Sequence, residues 1–185
     1  TPAYPVDNMP DALAIAVERG FKKFYVVGEI YVTSGDFSAG YTFDGGSPMT
    51  SNIIINGTAN VAGCEFLNAP VSGYFDDNTV MRDCLAVSLY DYDAYIYRSG
   101  LIGTIYLAPG AQLQVWDSWD ATYAETAADA PALDFDAGAH AAIRNYSGSI
   151  AVRNMKHADD VLVVESNHGH LFIESSCTAG NIYLH

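Results

Sequence analysis

Positive charge is what this chain has least of. Its 185 residues carry 8 Lys plus Arg against 22 Asp plus Glu, for a net charge of -14. So acidic a surface repels phosphate backbones and anionic headgroups, so neither nucleic acid nor a membrane surface is expected as a partner. Long apolar runs are missing as well: no stretch approaches the roughly 20 residues that a membrane-spanning helix requires. The opening TPAYPVDNMP lacks the basic start and apolar centre of a secretory signal. With no Met at position 1 and a strand-like NIYLH at the other end, the chain reads as a piece of something longer.

Cysteine is sparse and odd in number. Cys64, Cys84 and Cys177 fit no zinc spacing, and they read as small buried apolar side chains. No glycine-rich phosphate loop precedes a helix and no Ser-His-Asp order is recognisable, so no cofactor is expected. His168 and His170 share one side of a strand but lack an evident third ligand, so no metal site is assigned. The NGT and NYS triplets match glycosylation acceptors, a pattern short enough to arise by chance.

Helical periodicity is also rare. One segment has it: MPDALAIAVERG (9–20), with Pro10 and Asp11 at its start and Gly20 as its stop. After it come short runs rich in β-branched and aromatic residues, set apart by Gly, Asn, Asp, Ser or Pro. They include KFYVV, NIIING (52–57), TVMRDCLAVSLY (79–90) and AYIYRSG (94–100). The acidic, alanine-rich SWDATYAETAADAP (118–131) has no strand pattern and reads as a surface loop. The chain is therefore all-β. Two-residue hairpin signals are few, with Asn-Gly only at Asn56-Gly57 and Asp-Gly only at Asp44-Gly45, which argues against a sandwich of hairpins.

What the chain has in quantity is one figure, Gly-x-apolar-x-apolar. It appears as GEIYV from Gly28, GTIYL from Gly103, GSIAV from Gly148, GHLFI from Gly169 and GNIYL from Gly180. Gly148 and Gly169 lie 21 residues apart, and Cys64 and Cys84 lie 20 apart. A period near 20 built from short strands and tight turns predicts a right-handed parallel β-helix, with like residues stacked in ladders and Cys64 over Cys84 as one of them. Glycine suits its corners because positive φ costs it nothing. Residues 1–20 are assigned to an N-terminal segment and a helix capping the open end of the coil, and 21–185 to the coil itself.

Two segments carry a resemblance. DALAIAVERGFKKFYVVGEIYV, a helix followed by a glycine-led strand, resembles the start of pectate-lyase-like β-helix proteins, bacteriophage tailspikes among them. NYSGSIAVRNM and VLVVESNHGHLFIESSCTAGNIYLH resemble a repeat pattern in structural proteins of tailed phages and prophages. The resemblance implies an extracellular virion fibre, spike or baseplate component, commonly homotrimeric, that meets a host-surface glycan or another virion protein. No catalytic set carries over, since none of the polysaccharide-lyase motifs is present. A polysaccharide-degrading tailspike and a secreted bacterial surface adhesin are the alternatives on the same fold.

Acids and aromatics supply the candidate site residues. Glycan cleavage needs paired carboxylates, and residues two apart on a strand share a face. Asp91 with Asp93 and Asp134 with Asp136 are such pairs, and Asp117 and Asp120, three apart, form a further acidic cluster; all are read against a plainer role as solvated surface or turn caps. Sugar rings stack on exposed aromatic faces, so Tyr92, Tyr95, Trp116, Trp119 and Tyr123 are the candidate ligand-binding residues, with Tyr90 and Tyr97 beside them. The plainer reading places these rings in the core or at a subunit interface.

Overall fold

A computed structural model describes residues 6–185; the first five residues of the 1–20 segment lie outside it. The helix α1 spans Met9–Arg19. Asn8 caps its start, accepting from the Asp11 N–H at 2.9 Å and donating to the Asp11 carboxylate at 2.8 Å. Gly20 ends it in the left-handed region at φ 71°. Met9 and Ala16 are buried, and Ala12 and Leu13 pack on the core, so the helix lies against the first turn of the coil.

That coil is a parallel β-solenoid of about 9 turns. One face is built in order from Lys23–Tyr25, Thr42–Asp44, Glu65–Leu67, Thr79–Arg82, the second halves of Leu85–Tyr97 and Thr104–Trp116, His140–Arg144, Val161–Glu165 and Asn181–Leu184. Every pairing along it is parallel. Register puts Phe24, Phe43, Phe66, Met81, Ile96, Val115, Ile143 and Val164 in one inward column. At the start of that column the rings themselves meet, Phe24 tilted by 33° against Phe43 at 5.1 Å and Phe43 stacked on Phe66 at 5.0 Å. Each such side chain removed from water contributes about 1.5–3 kcal/mol, repeated turn after turn.

A second face stacks Val32, Ile55, Gly73, Leu89, Ile105, Leu133, Val152 and Ile173. Gly73 is required here: its φ is 106°, and a Cβ on it would lie 1.9 Å from the Ile55 carbonyl oxygen.

The turns are unequal, and this changes the expected ladders. From Phe66 to Met81 the chain advances 15 residues (66 to 81), and from Val115 to Ile143 it advances 28 (115 to 143). Cys64 therefore does not stack on Cys84. Its carbonyl accepts from the Val80 N–H, placing Thr79 beside it, whereas Cys84 lies between Ala69 and Ser99. Both are free, buried thiols. Gly148 and Gly169, by contrast, do stack, since the Gly148 N–H donates to the His168 carbonyl and a Cβ on Gly169 would strike the Gly148 oxygen. The run from Thr79 to Tyr90 breaks at Asp83, and the expected gap before Ala94 is absent: Leu85–Tyr97 is one strand that bends around a corner between Asp91 and Asp93. Of the five glycine-led figures, four lie on the second face. GNIYL belongs to the first, with Ile182 beside Leu162.

Corners rely on more than glycine. Asn68, Asp83, Arg98, Asp117, Asn145 and Ser166 all hold φ between 45° and 54°. Each donates its N–H to the following turn, in the same corner of the coil. Asn and Asp tolerate this region because their short polar side chains bond locally. Here those side chains also bond along the column, Asn68 to Asp44 at 3.0 Å and Asn145 to Asp117 at 2.7 Å.

Candidate functional site

The stretch 118–131 is where the surface departs from a plain coil. Trp119–Asp120 continues the coil as a short strand, and residues 121–131 then form a loop that folds over the second face. Beneath it Ala130, Ala132 and Ala151 are buried, with Ala124 and Phe172 packed alongside. Asp120 holds the loop in place. Its carboxylate accepts from the Thr122 N–H at 2.7 Å, the Thr122 hydroxyl at 2.6 Å, the Ala124 N–H at 3.0 Å and the Ser149 N–H at 3.3 Å. The Ser149 hydroxyl closes the other side, donating to the Ala124 carbonyl at 2.7 Å.

A groove of about 790 Å³ opens beside this loop. Gly148 and Gly169 give it a floor without side chains. Trp119 (39% exposed) and Tyr123 (86% exposed) supply aromatic surface, and Glu125 and His170 supply polar groups. The loop is the reason a trough exists at all, since it raises a wall over an otherwise flat sheet.

A second groove, of about 310 Å³, lies on the outer side of the second face. Tyr74, Tyr90 and Tyr106 stand in register on successive turns, their rings stacked at 4.6 and 4.7 Å with interplanar angles of 12° and 14°. The next residue in register is Asp134, which with Asp136 and Tyr92 completes the lining.

Tyr95 and Trp116 belong to neither groove. They sit on the outer side of the first face in a row with Tyr97: Tyr95 to Tyr97 at 6.4 Å, and Tyr97 edge-on to Trp116 at 5.3 Å. Arg82 caps the Tyr97 ring and Arg144 the Trp116 ring, each at 5.2 Å. Those guanidinium groups also pair with Glu65 and Glu165, both at 3.1 Å. Tyr97 and Trp116 are thus already covered by the protein's own cations, and Tyr95 stands beside Tyr97 in the same row.

The acidic pairs likewise separate. Asp91 points into the core, fully buried, and neither of its oxygens has a hydrogen-bond partner among the described residues. Burial, with a smaller push from Asp93, holds its carboxyl well above the usual carboxylate range. Asp93, past the bend, turns outward and accepts from the Gln112 N–H at 2.7 Å. Alternation fails across this corner, so two residues apart here means opposite sides. Asp117 is an exposed member of the corner ladder and Asp120 a buried loop anchor. Asp134 accepts from Asn154 at 2.7 Å, and Asp136 from the Ala137 N–H at 2.8 Å. His168 and His170 are exposed, the latter with its ring 5.7 Å from that of Phe172. Among the described residues no cluster of three metal-ligating side chains occurs, and no helix is long and apolar enough to cross a membrane.

Of the five candidate ligand-binding residues, the fold brings Trp119 and Tyr123 together, puts Tyr92 in the second groove and leaves Tyr95 and Trp116 in the arginine-capped outer row. Tyr74 and Tyr106 escaped the sequence reading, although the even spacing of tyrosines at 74, 90 and 106 matches a 16-residue turn. Comparison with known protein families, curated proteins and solved structures finds no match for this chain.

Proposed function

We propose that this chain is a structural and adhesive segment of a phage fibre or spike: a stiff coil that presents a lateral seat for one sugar unit of a host-surface glycan. The observation that carries the reading is the trough beside the loop, where the Trp119 and Tyr123 rings flank a glycine floor. A pyranose offers a C–H face to an aromatic ring and hydroxyls to nearby carboxylate, imidazole and backbone groups, and such sites bind without pre-formed charge. Binding is favoured over cleavage because glycosidic hydrolysis needs two free carboxyl groups. Glu125 is available, but the Asp120 oxygens already accept four hydrogen bonds. The virion setting rests on the resemblance of the helix-to-strand opening and of the last turns to phage β-helices, as does the expected homotrimer.

The test is a glycan array followed by calorimetry on the ligands that bind. Trp119→Ala with Tyr123→Ala is expected to lower affinity at least tenfold while leaving the melting temperature in place. Equal binding by the double variant would remove the trough from the account. Release of reducing ends from host capsule or lipopolysaccharide would favour the degrading tailspike. Light scattering near three times the 19.9 kDa chain mass is expected, and a monomer mass would count against the trimer.

A further inference from the structure

The second groove differs from the first in its chemistry. Its tyrosine stack leaves a ring face open at only one end. Gly57 lies under the Tyr74 ring, 3.2 Å from where its Cβ would be, and Tyr90 is covered on both sides. On the far side of Tyr106 the column continues with Asp134, a side chain too short to cover the ring. The groove therefore opens where the ladder stops, between an aromatic face and a carboxylate, with Asp136 and Tyr92 at the rim.

Arg153 is the next residue in register after Asp134, but its guanidinium is engaged by Glu174 at 2.6 Å and by the Ala127 carbonyl at 3.4 Å. Lys23, Arg82, Arg98, Arg144 and Arg153 pair with Asp44, Glu65, Asp83, Glu165 and Glu174, respectively. No Lys or Arg lines the groove, and Asp134 and Asp136 accept only from Asn154 and a backbone N–H. On the first face the same kind of ring is capped by arginine, at Tyr97 and Trp116. In the groove the rings and carboxylates are present without such a cap.

From this arrangement we infer that the Tyr106–Asp134–Asp136 groove is a binding site for a small organic ammonium group, seated against the open Tyr106 face. Such a cation is attracted by the ring quadrupole and by both carboxylates, and its methyl or methylene surface suits the apolar side of the slot. The net charge of -14 adds long-range attraction of the same sign and disfavours anionic ligands. This site is independent of the glycan seat by the loop, and the two stand or fall separately.

Choline chloride is the probe, titrated at low ionic strength against the folded chain with tyrosine ring resonances as the readout. Saturable shifts of Tyr106 and Tyr92 are expected, with a dissociation constant of order 1 mM. The neutral isostere 3,3-dimethylbutan-1-ol should bind at least tenfold more weakly. Tyr106→Leu and, separately, Asp136→Asn should each weaken choline several-fold, the latter without removing the acceptor for Ala137. Trp119→Ala should leave it unchanged. Absence of saturable shifts, equal binding of the neutral isostere, or insensitivity to both Tyr106→Leu and Asp136→Asn would each overturn the assignment.

Discussion

Asn145 donates from Nδ2 to the Asp117 carboxylate at 2.7 Å across two stacked turns, while both residues hold positive φ, 50° and 52°. Left-handed backbone costs most side chains roughly 1–2 kcal/mol, and a net hydrogen bond is worth about 0.5–1.5 kcal/mol. Asn145→Ala meets both penalties and should lower unfolding stability by about 2 kcal/mol. Asn145→Gly meets only the second and should cost less. Chemical denaturation of the two variants checks the order, and an alanine variant as stable as the glycine one would mean that backbone strain is not what this corner selects against.

Asp91 lies in register with Phe75 and Leu107, a polar rung in an apolar column. Its carboxyl, held well above the ordinary 3.8 by burial, keeps its proton in the fold over a pH range in which the unfolded chain has already ionised. The unfolded state therefore gains as pH rises above about 4, and stability associated with this group falls until the folded carboxyl itself ionises. Asp91→Val should raise stability at pH 7 by about 1–3 kcal/mol, since it removes an unpartnered buried polar group. That gain should shrink as pH is lowered towards 4. A gain that grows on acidification would contradict a neutral buried acid.

Burial also governs the thiols. It pushes Cys64 up to about 11 and Cys84 up to about 12, so neither presents a thiolate near neutrality. Cys177 is only partly buried. Treatment of the folded chain with a thiol reagent at pH 8 should modify Cys177 alone, and all three after denaturation, read by peptide mass. Rapid labelling of Cys64 or Cys84 without denaturant would show that the column they occupy opens.

Much of this architecture is legible in the residues. The helix is announced by Pro10 and Gly20, and the glycine-led strands with the Gly148–Gly169 spacing announce a coil. Exact ladders are not legible, because corner insertions vary the turn and a 20-residue spacing is real in one place and accidental in another. Cys64 and Cys84 show the accidental case. The corners hide for a different reason: Asn68, Asp117 and Asn145 look like ordinary loop residues, and only stacking reveals that they share one backbone conformation. Asp91 is missed because side-chain alternation resets where a continuous strand bends. The grooves come from the same geometry, since Tyr106 and Asp134 are 28 residues apart (106 to 134) and meet only through the register of the coil.

Successive turns of the coil pair in parallel, a pattern that backbone couplings across hydrogen bonds read residue by residue. In a parallel ladder a residue donates to one residue of the facing strand and accepts from the residue two further along it, whereas antiparallel pairs exchange both bonds between the same two residues. The coil predicts couplings from the Glu65 nitrogen to the Tyr41 carbonyl carbon, from Val80 to Cys64, from Leu85 to Ala69 and from Val161 to Ala139. Observing that one-way set would bear the coil out; reciprocal couplings between pairs of residues would contradict it.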